Sequence, residues 1–186
     1  RPARSAIEEA ATLCRMASAP VILLGGGARA ASAEAMALAE RLDAPTVMTT
    51  NARGVLGPDH PLAVPASPAL ESVRAMIASA DLVLAFGTEF GWTDYSMRDE
   101  HELTLRVPLI RCDIEAEQLV RNNPADVALL GDASAAMRDL LEALGSAPSR
   151  ALKPEEFSAS GRGAPQPSAG TTRGPAVPSE RCWDQG

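Results

Sequence analysis

The sequence predicts an α/β fold: a doubly wound, mostly parallel, six-stranded sheet with helices on both faces. Three observations predict it. Short apolar runs, with Val21–Leu24, Asp81–Phe86 and Leu105–Cys112 the clearest, alternate with stretches of helical periodicity. That is the pattern of strands buried on both faces and joined by right-handed crossovers. The first run passes through Gly25-Gly26-Gly27 into a helical stretch, the layout of a βα unit. The chain has 186 residues, 46% hydrophobic but only 3% aromatic, which suits Ala-rich helices on a sheet better than an aromatic-lined sandwich.

The elements follow in order. Residues 5–16 place Ile7, Ala10, Ala11 and Cys14 at helical spacing, with Glu8 and Glu9 in the first turn where a helix dipole favours acid. Val21–Leu24 is the first strand and Ala30–Leu42 the next helix, which Ala44-Pro45 breaks. Thr46–Met48 is a short strand closed by the turn residues Thr49-Thr50-Asn51. A Gly/Pro-punctuated segment, 54–67, holds a short strand at Leu62–Val64. Pro68 opens a helix to Ser79, and Asp81–Phe86 is a buried strand ending at Gly87-Thr88. Leu105–Cys112 is a strand closed by Asp113, Glu115–Arg121 a short helix and Val127–Leu130 a strand. Asp132 caps a final helix, Ser134–Leu144. The expected domain is therefore 1–145. Residues 146–186, rich in Gly, Pro, Ser and Ala over most of their length, are expected to be a disordered tail.

Composition excludes several functions. The net charge is −7 and Lys153 is the sole lysine, so clustered basic charge for nucleic acid or an anionic membrane is absent. Cys14, Cys112 and Cys182 lie far apart, and His60 and His101 lack ligand-spaced partners. Neither a metal site nor a disulfide framework is expected. No signal peptide or membrane-length apolar run stands in the sequence, and a cytoplasmic protein is the plain reading. The chain opens on Arg1-Pro2, which suggests a piece of something longer.

The glycine turn is the first candidate site. Gly25, Gly27 and Ala30 satisfy G-x-G-x-x-A, with Ala30 small enough for the helix to pack on the strand. Consecutive glycines allow a tight turn and close approach to a ligand, and the next helix would aim free N–H groups at an anion. If the chain returns to the other side of strand one, Gly87-Thr88 faces this turn across one crevice. Equally, the glycines simply make tight βα turns. A dinucleotide fingerprint also needs an acid at the end of the second strand. Thr49-Thr50 stand there, and Asp43 precedes the strand, so hydride transfer is disfavoured. Asp113 and Asp132 are better nucleotide contacts, although capping is the simpler role for Asp132. No nucleophile–base pair, G-x-S-x-G or P-loop lysine is visible, so no catalytic residue is assigned. Phe90, Trp92 and Tyr95 fit a contact surface for another domain or subunit.

Certain stretches carry a family resemblance. Leu23-Leu-Gly-Gly-Gly-Ala28, Pro45-Thr-Val-Met-Thr-Thr-Asn-Ala-Arg-Gly54, His60-Pro-Leu62, Ala80–Thr88, Ile110–Ile114 and Leu129–Asp132 arrive in one order across 3–144. They resemble the central domain of thiamine-diphosphate-dependent enzymes, the acetolactate-synthase-like decarboxylases and carboligases. Gly87–Tyr95 with Glu117–Asn122 looks closest to the guanidino-oxopentanoate decarboxylase branch. The resemblance implies a Rossmann-like sheet of the DHS-like NAD/FAD-binding type. It also implies pyrimidine- and diphosphate-binding domains on either side, which bind thiamine diphosphate and magnesium in a homo-oligomer. Gly131-Asp132 is similar to the start of the magnesium–diphosphate motif but continues Ala-Ser, so this chain alone is not expected to bind that cofactor. Some members hold FAD or ADP in the central domain. The matching positions are Gly25, Gly26, Gly27, Thr49, Thr50, Gly87, Thr88, Asp113, Ile114 and Asp132. Glu89 stands where flavin-binding members carry arginine, and Val64–Ala66 replaces the glycine usual after His-Pro-Leu. The leading expectation is a central domain inactive without its neighbours. The alternative is a stand-alone ADP/FAD-type module, and an NAD-dependent deacylase relative ranks last.

Overall fold

Strand β1 (Pro20–Leu24) and strand β3 (Leu82–Phe86) are buried at every position, because both faces of the sheet are covered. With β2 (Thr46–Met48), β4 (Leu109–Asp113) and β5 (Val127–Leu130) they form a five-stranded sheet of order β2-β1-β3-β4-β5, every pairing parallel. The computed structural model describes residues 1–95 and 103–145, leaving aside the side chains of Trp92 and Thr93. The tail expected from 146 lies outside the described residues. Among the described residues the α-helices are α1 (Arg4–Met16), α2 (Ser32–Leu42), α3 (Glu71–Ser79), the single turn α4 (Trp92–Tyr95) and α5 (Ala133–Leu144).

Period-two alternation sorts the strand side chains into two cores. Ile22, Leu24, Leu82, Leu84, Phe86, Ile110, Cys112, Val127 and Leu129 pack with the buried faces of α1, α2 and α5. Val21, Leu23, Val47, Val83, Ala85 and Leu109 face α3 together with Phe90, Tyr95 and Leu103. The apolar stripe of α1 is the expected one, Ile7, Ala10, Ala11 and Cys14. The helix starts at Arg4, however, so Glu8 and Glu9 fall beyond its first turn. Glu8 instead accepts from Arg4 at 2.9 Å, one turn away.

Three expectations are corrected. The sixth strand, Leu62–Val64, reduces to one parallel bridge, Thr46 to Ala63. Prolines at 61 and 65 flank it, and a proline has no N–H to extend a ladder. The strand expected from Leu105 begins at Leu109 for the same reason, since Pro108 precedes it and the Leu105 amide donates to Asn123 Oδ1 instead. The helix expected from Pro68 begins at Glu71, because the Leu70 amide closes a turn onto the Ser67 carbonyl. The short helix expected at 115–121 is present as a 3-10 helix, Ala116–Val120.

Candidate functional site

Returning from β2 across β1 to β3, the chain leaves a switch point between the carboxyl ends of β1 and β3. This is where ligands bind in open α/β sheets. The two small-residue turns meet there as expected. The Gly25 amide donates to the Phe86 carbonyl at 3.0 Å, and the Gly27 amide to the Gly87 carbonyl at 3.1 Å. A Cβ on Gly25 would stand 2.1 Å from the Gly87 oxygen, and one on Gly87 2.5 Å from Gly27 Cα. Gly87 also has φ 58°, in the left-handed region that favours glycine.

The helix does not spring from this turn. Gly26–Ala28 forms a 3-10 turn, in which the Ala28 and Arg29 amides donate to the Gly25 and Gly26 carbonyls. The next helix, α2, opens only at Ser32. Ala30 is exposed, and the small residues that let this segment pack are Ala28 and Ala31, at 0% and 1% exposure. The reading of Ala30 as the packing residue of a G-x-G-x-x-A fingerprint is therefore corrected. The pattern's spacing holds, but its geometry does not.

The other candidate positions divide. Gly27, Gly87, Asp113, Ile114 and Asp132 line one cleft of about 250 Å³ at the carboxyl edge of the sheet. Thr49 is 2% exposed, with its amide held by the Leu24 carbonyl, and Thr50 is exposed at the start of a separate 3-10 turn. Thr88 is 3% exposed and shares a 3.0 Å hydrogen bond with the Tyr95 hydroxyl. Gly25 is buried beneath the turn and Gly26 is exposed. Asp113 Oδ1 accepts from the Glu115 amide, and Asp132 Oδ1 accepts from the Ala135 amide as the N-cap of α5. Asp43 is the left-handed C-cap of α2, φ 50°.

Sequence reasoning missed three cleft residues, Glu115, Gln118 and Cys112. Glu115 had a signal: it lies two residues past the strand-ending Asp113. Cys112 packs as the small hydrophobe expected, 1% exposed, with its thiol directed at the Gly131 carbonyl and its pKa pushed up to about 12 by burial.

Also missed was Arg111, in the middle of β4 and 0% exposed. Its guanidinium donates to the carbonyls of Arg121 (2.6 Å), Asn123 (2.9 Å) and Thr88 (3.0 Å), and lies 4.8 Å over the Phe90 ring. Burial holds its pKa below the usual arginine value. Asn122, in a left-handed conformation, donates to the Glu89 and Phe90 carbonyls. Asn123 donates to the Leu103 carbonyl. Phe90 and Tyr95 stack at 5.3 Å and are 6% and 1% exposed. They belong to the domain's own core, which corrects their expected role as an external contact surface.

Among the described residues no group of three or more His, Cys, Asp or Glu is placed to hold a metal ion. Gly131-Asp132 is a helix cap, with a Cβ on Gly131 meeting Pro2 at 2.9 Å. The Asp132 carboxylate is engaged by the Ala135 amide within this cap. The described helices include none long and apolar enough to cross a membrane.

The described residues form a doubly wound α/β domain whose two small-residue turns pack against each other at the switch point. Residues 7–140 match the family model for the thiamine pyrophosphate enzyme central domain, and the chain belongs to that family. It is 41% identical over 155 residues to a probable 2-ketoarginine decarboxylase of Pseudomonas aeruginosa, covering 81% of this chain and 27% of that protein. A probable acetolactate synthase large subunit of Methanocaldococcus jannaschii is 32% identical, covering 74% and 24%. Mouse 2-hydroxyacyl-CoA lyase 1 is also 32% identical, covering 77% and 24%. A solved structure described as a thiamin diphosphate-dependent enzyme from Mycobacterium smegmatis shares the fold, with TM-score 0.65 and 23% identity over 82% of this chain and 30% of that one. The chain thus spans about a quarter of the length of the curated relatives it matches. Membership implies thiamine diphosphate, usually with magnesium, in a complete enzyme of this family.

Proposed function

We propose that residues 1–145 are the central domain of a cytoplasmic 2-oxo-acid decarboxylase or carboligase, inactive without pyrimidine- and diphosphate-binding domains and working in a homo-oligomer. The observation that carries this reading is the family match over residues 7–140, in a chain that spans about a quarter of each relative. The 41% identity to a probable 2-ketoarginine decarboxylase favours a guanidino 2-oxo acid as the substrate of the whole enzyme. In that enzyme the bound thiamine diphosphate supplies the carbanion chemistry. This domain's own residues supply a rigid packed body: a sheet covered on both faces, with its carboxyl-edge loops pinned by Arg111.

The alternative, a stand-alone module for ADP or FAD, would use the candidate positions from Gly25 to Asp132, and no observation here favours it. The test is carbon dioxide release from 2-ketoarginine and pyruvate by the purified chain, supplied with thiamine diphosphate and magnesium. The expected rate equals that of a protein-free blank. Turnover by this chain alone would overturn the proposal.

A further inference from the structure

We infer that the glycine triplet of this chain is a backbone clasp between the β1 and β3 turns, and that the cleft beside it excludes ADP and FAD. A phosphate cradle needs free amides converging on the ligand. Here the amides of Gly25, Gly27, Ala28 and Arg29 already donate to carbonyls of the two turns. The room that the missing side chains leave at Gly25 and Gly27 is filled by Gly87 and the adjoining Thr88 backbone, within 2.1 to 2.8 Å of where a Cβ would stand. What the glycines admit is therefore the chain's own backbone.

Charge acts in the same direction. Among the described residues the cleft is lined by four carboxylates, Glu89, Asp113, Glu115 and Asp132, and by no lysine, arginine or histidine. A diphosphate would bring like charge into a site without a cation to meet it, which costs free energy at these separations. Of the three candidate hydroxyls, Thr49 and Thr88 are buried, and Thr50 is exposed but stands outside the cleft. The glycine turn thus presents its Gly25, Gly27, Ala28 and Arg29 amides to its own backbone, beside a cleft whose described charged residues are all acidic. This inference stands apart from the proposed function: a central domain can serve its enzyme with or without a nucleotide.

Two measurements on the 186-residue chain test it. First, thermal unfolding followed by circular dichroism, with about 1 mM ADP or about 0.1 mM FAD, should show a midpoint unchanged within roughly 1 °C, because only a ligand binding the native state raises it. A saturable rise with either ligand, or FAD retained through gel filtration, would overturn the exclusion. Second, Gly25→Ala and Gly87→Ala should lower the midpoint by more than about 10 °C or abolish the transition. Gly26→Ala, whose Cβ would meet only Asn51 at 3.3 Å, should stay within about 3 °C of the parent. A Gly25→Ala protein as stable as the parent would overturn the clasp. So would a Gly26→Ala protein as damaged as the other two.

Discussion

Arg111 carries a charge into the middle of the sheet with no carboxylate among the described residues in ion-pair contact, and its surroundings explain how it is tolerated. Three backbone carbonyls and an aromatic face replace most of the water it loses, leaving only its Nε without a partner among the described residues. Arg111→Met should therefore destabilise the chain by about 3 kcal/mol, since it removes the guanidinium from the Thr88 and Asn123 carbonyls while retaining volume; the Arg121 carbonyl keeps the Asn123 amide. The urea midpoint measures this, and an unchanged midpoint would remove Arg111 from the account. Cys14 and Cys112 are both buried with thiol pKa values pushed up to about 12, chiefly by burial. Both should resist a thiol-specific disulfide reagent in the native chain and react after unfolding, as mass mapping of labelled peptides would show. Glu34 accepts from Arg138 and Ser134, each at 2.8 Å, and its pKa lies below the ordinary carboxylate value because of those two bonds. A depressed folded-state pKa contributes stability above the unfolded value, near 4.5, which is lost as pH falls through the folded one. Comparing Glu34→Gln with the parent at neutral pH and at about pH 3 should show their stability gap shrinking toward the acid end. A constant gap would contradict the pairing.

At the scale of elements, the strands were legible because burial on both faces writes an apolar run that few other structures share. The stripe of α1 and the cap of α5 were legible too, each resting on a local rule of spacing or capping. Boundaries failed where proline or a local turn competed with the element. Pro108 delays β4, Ser67 to Leu70 delay α3, and the 3-10 turn at Gly26 to Ala28 delays α2. In the candidate site, sequence reasoning paired the two small-residue turns correctly but could not see that they fill each other. Donor use and packing are properties of the folded turn, not of the Gly-Gly-Gly string. Arg111 escaped notice because an arginine in an apolar run has no sequence-local sign of where its guanidinium will go. One prediction belongs here. Asp81 accepts from the Ser18 and Ala19 amides at 2.6 and 2.9 Å, closing the turn from α1 into β1. Asp81→Ala should lower stability by about 1 kcal/mol, and an unchanged urea midpoint would show that the turn closes without it.

For the whole molecule, the described residues make a domain with one apolar core on each face of its sheet. Four carboxylates face the switch-point cleft, and among the described residues they form no metal group. The proposed function asks of this domain that it fold and fit its neighbours in the whole enzyme. That requirement is directly measurable by exchange. Residues 7–140 of this chain would replace the corresponding segment of the 2-ketoarginine decarboxylase relative, and the purified chimera would be assayed for carbon dioxide release with thiamine diphosphate and magnesium. The account predicts decarboxylation of 2-ketoarginine within about tenfold of the parent, or ~1.4 kcal/mol in activation free energy. A folded chimera that binds the cofactor yet does not decarboxylate would contradict it.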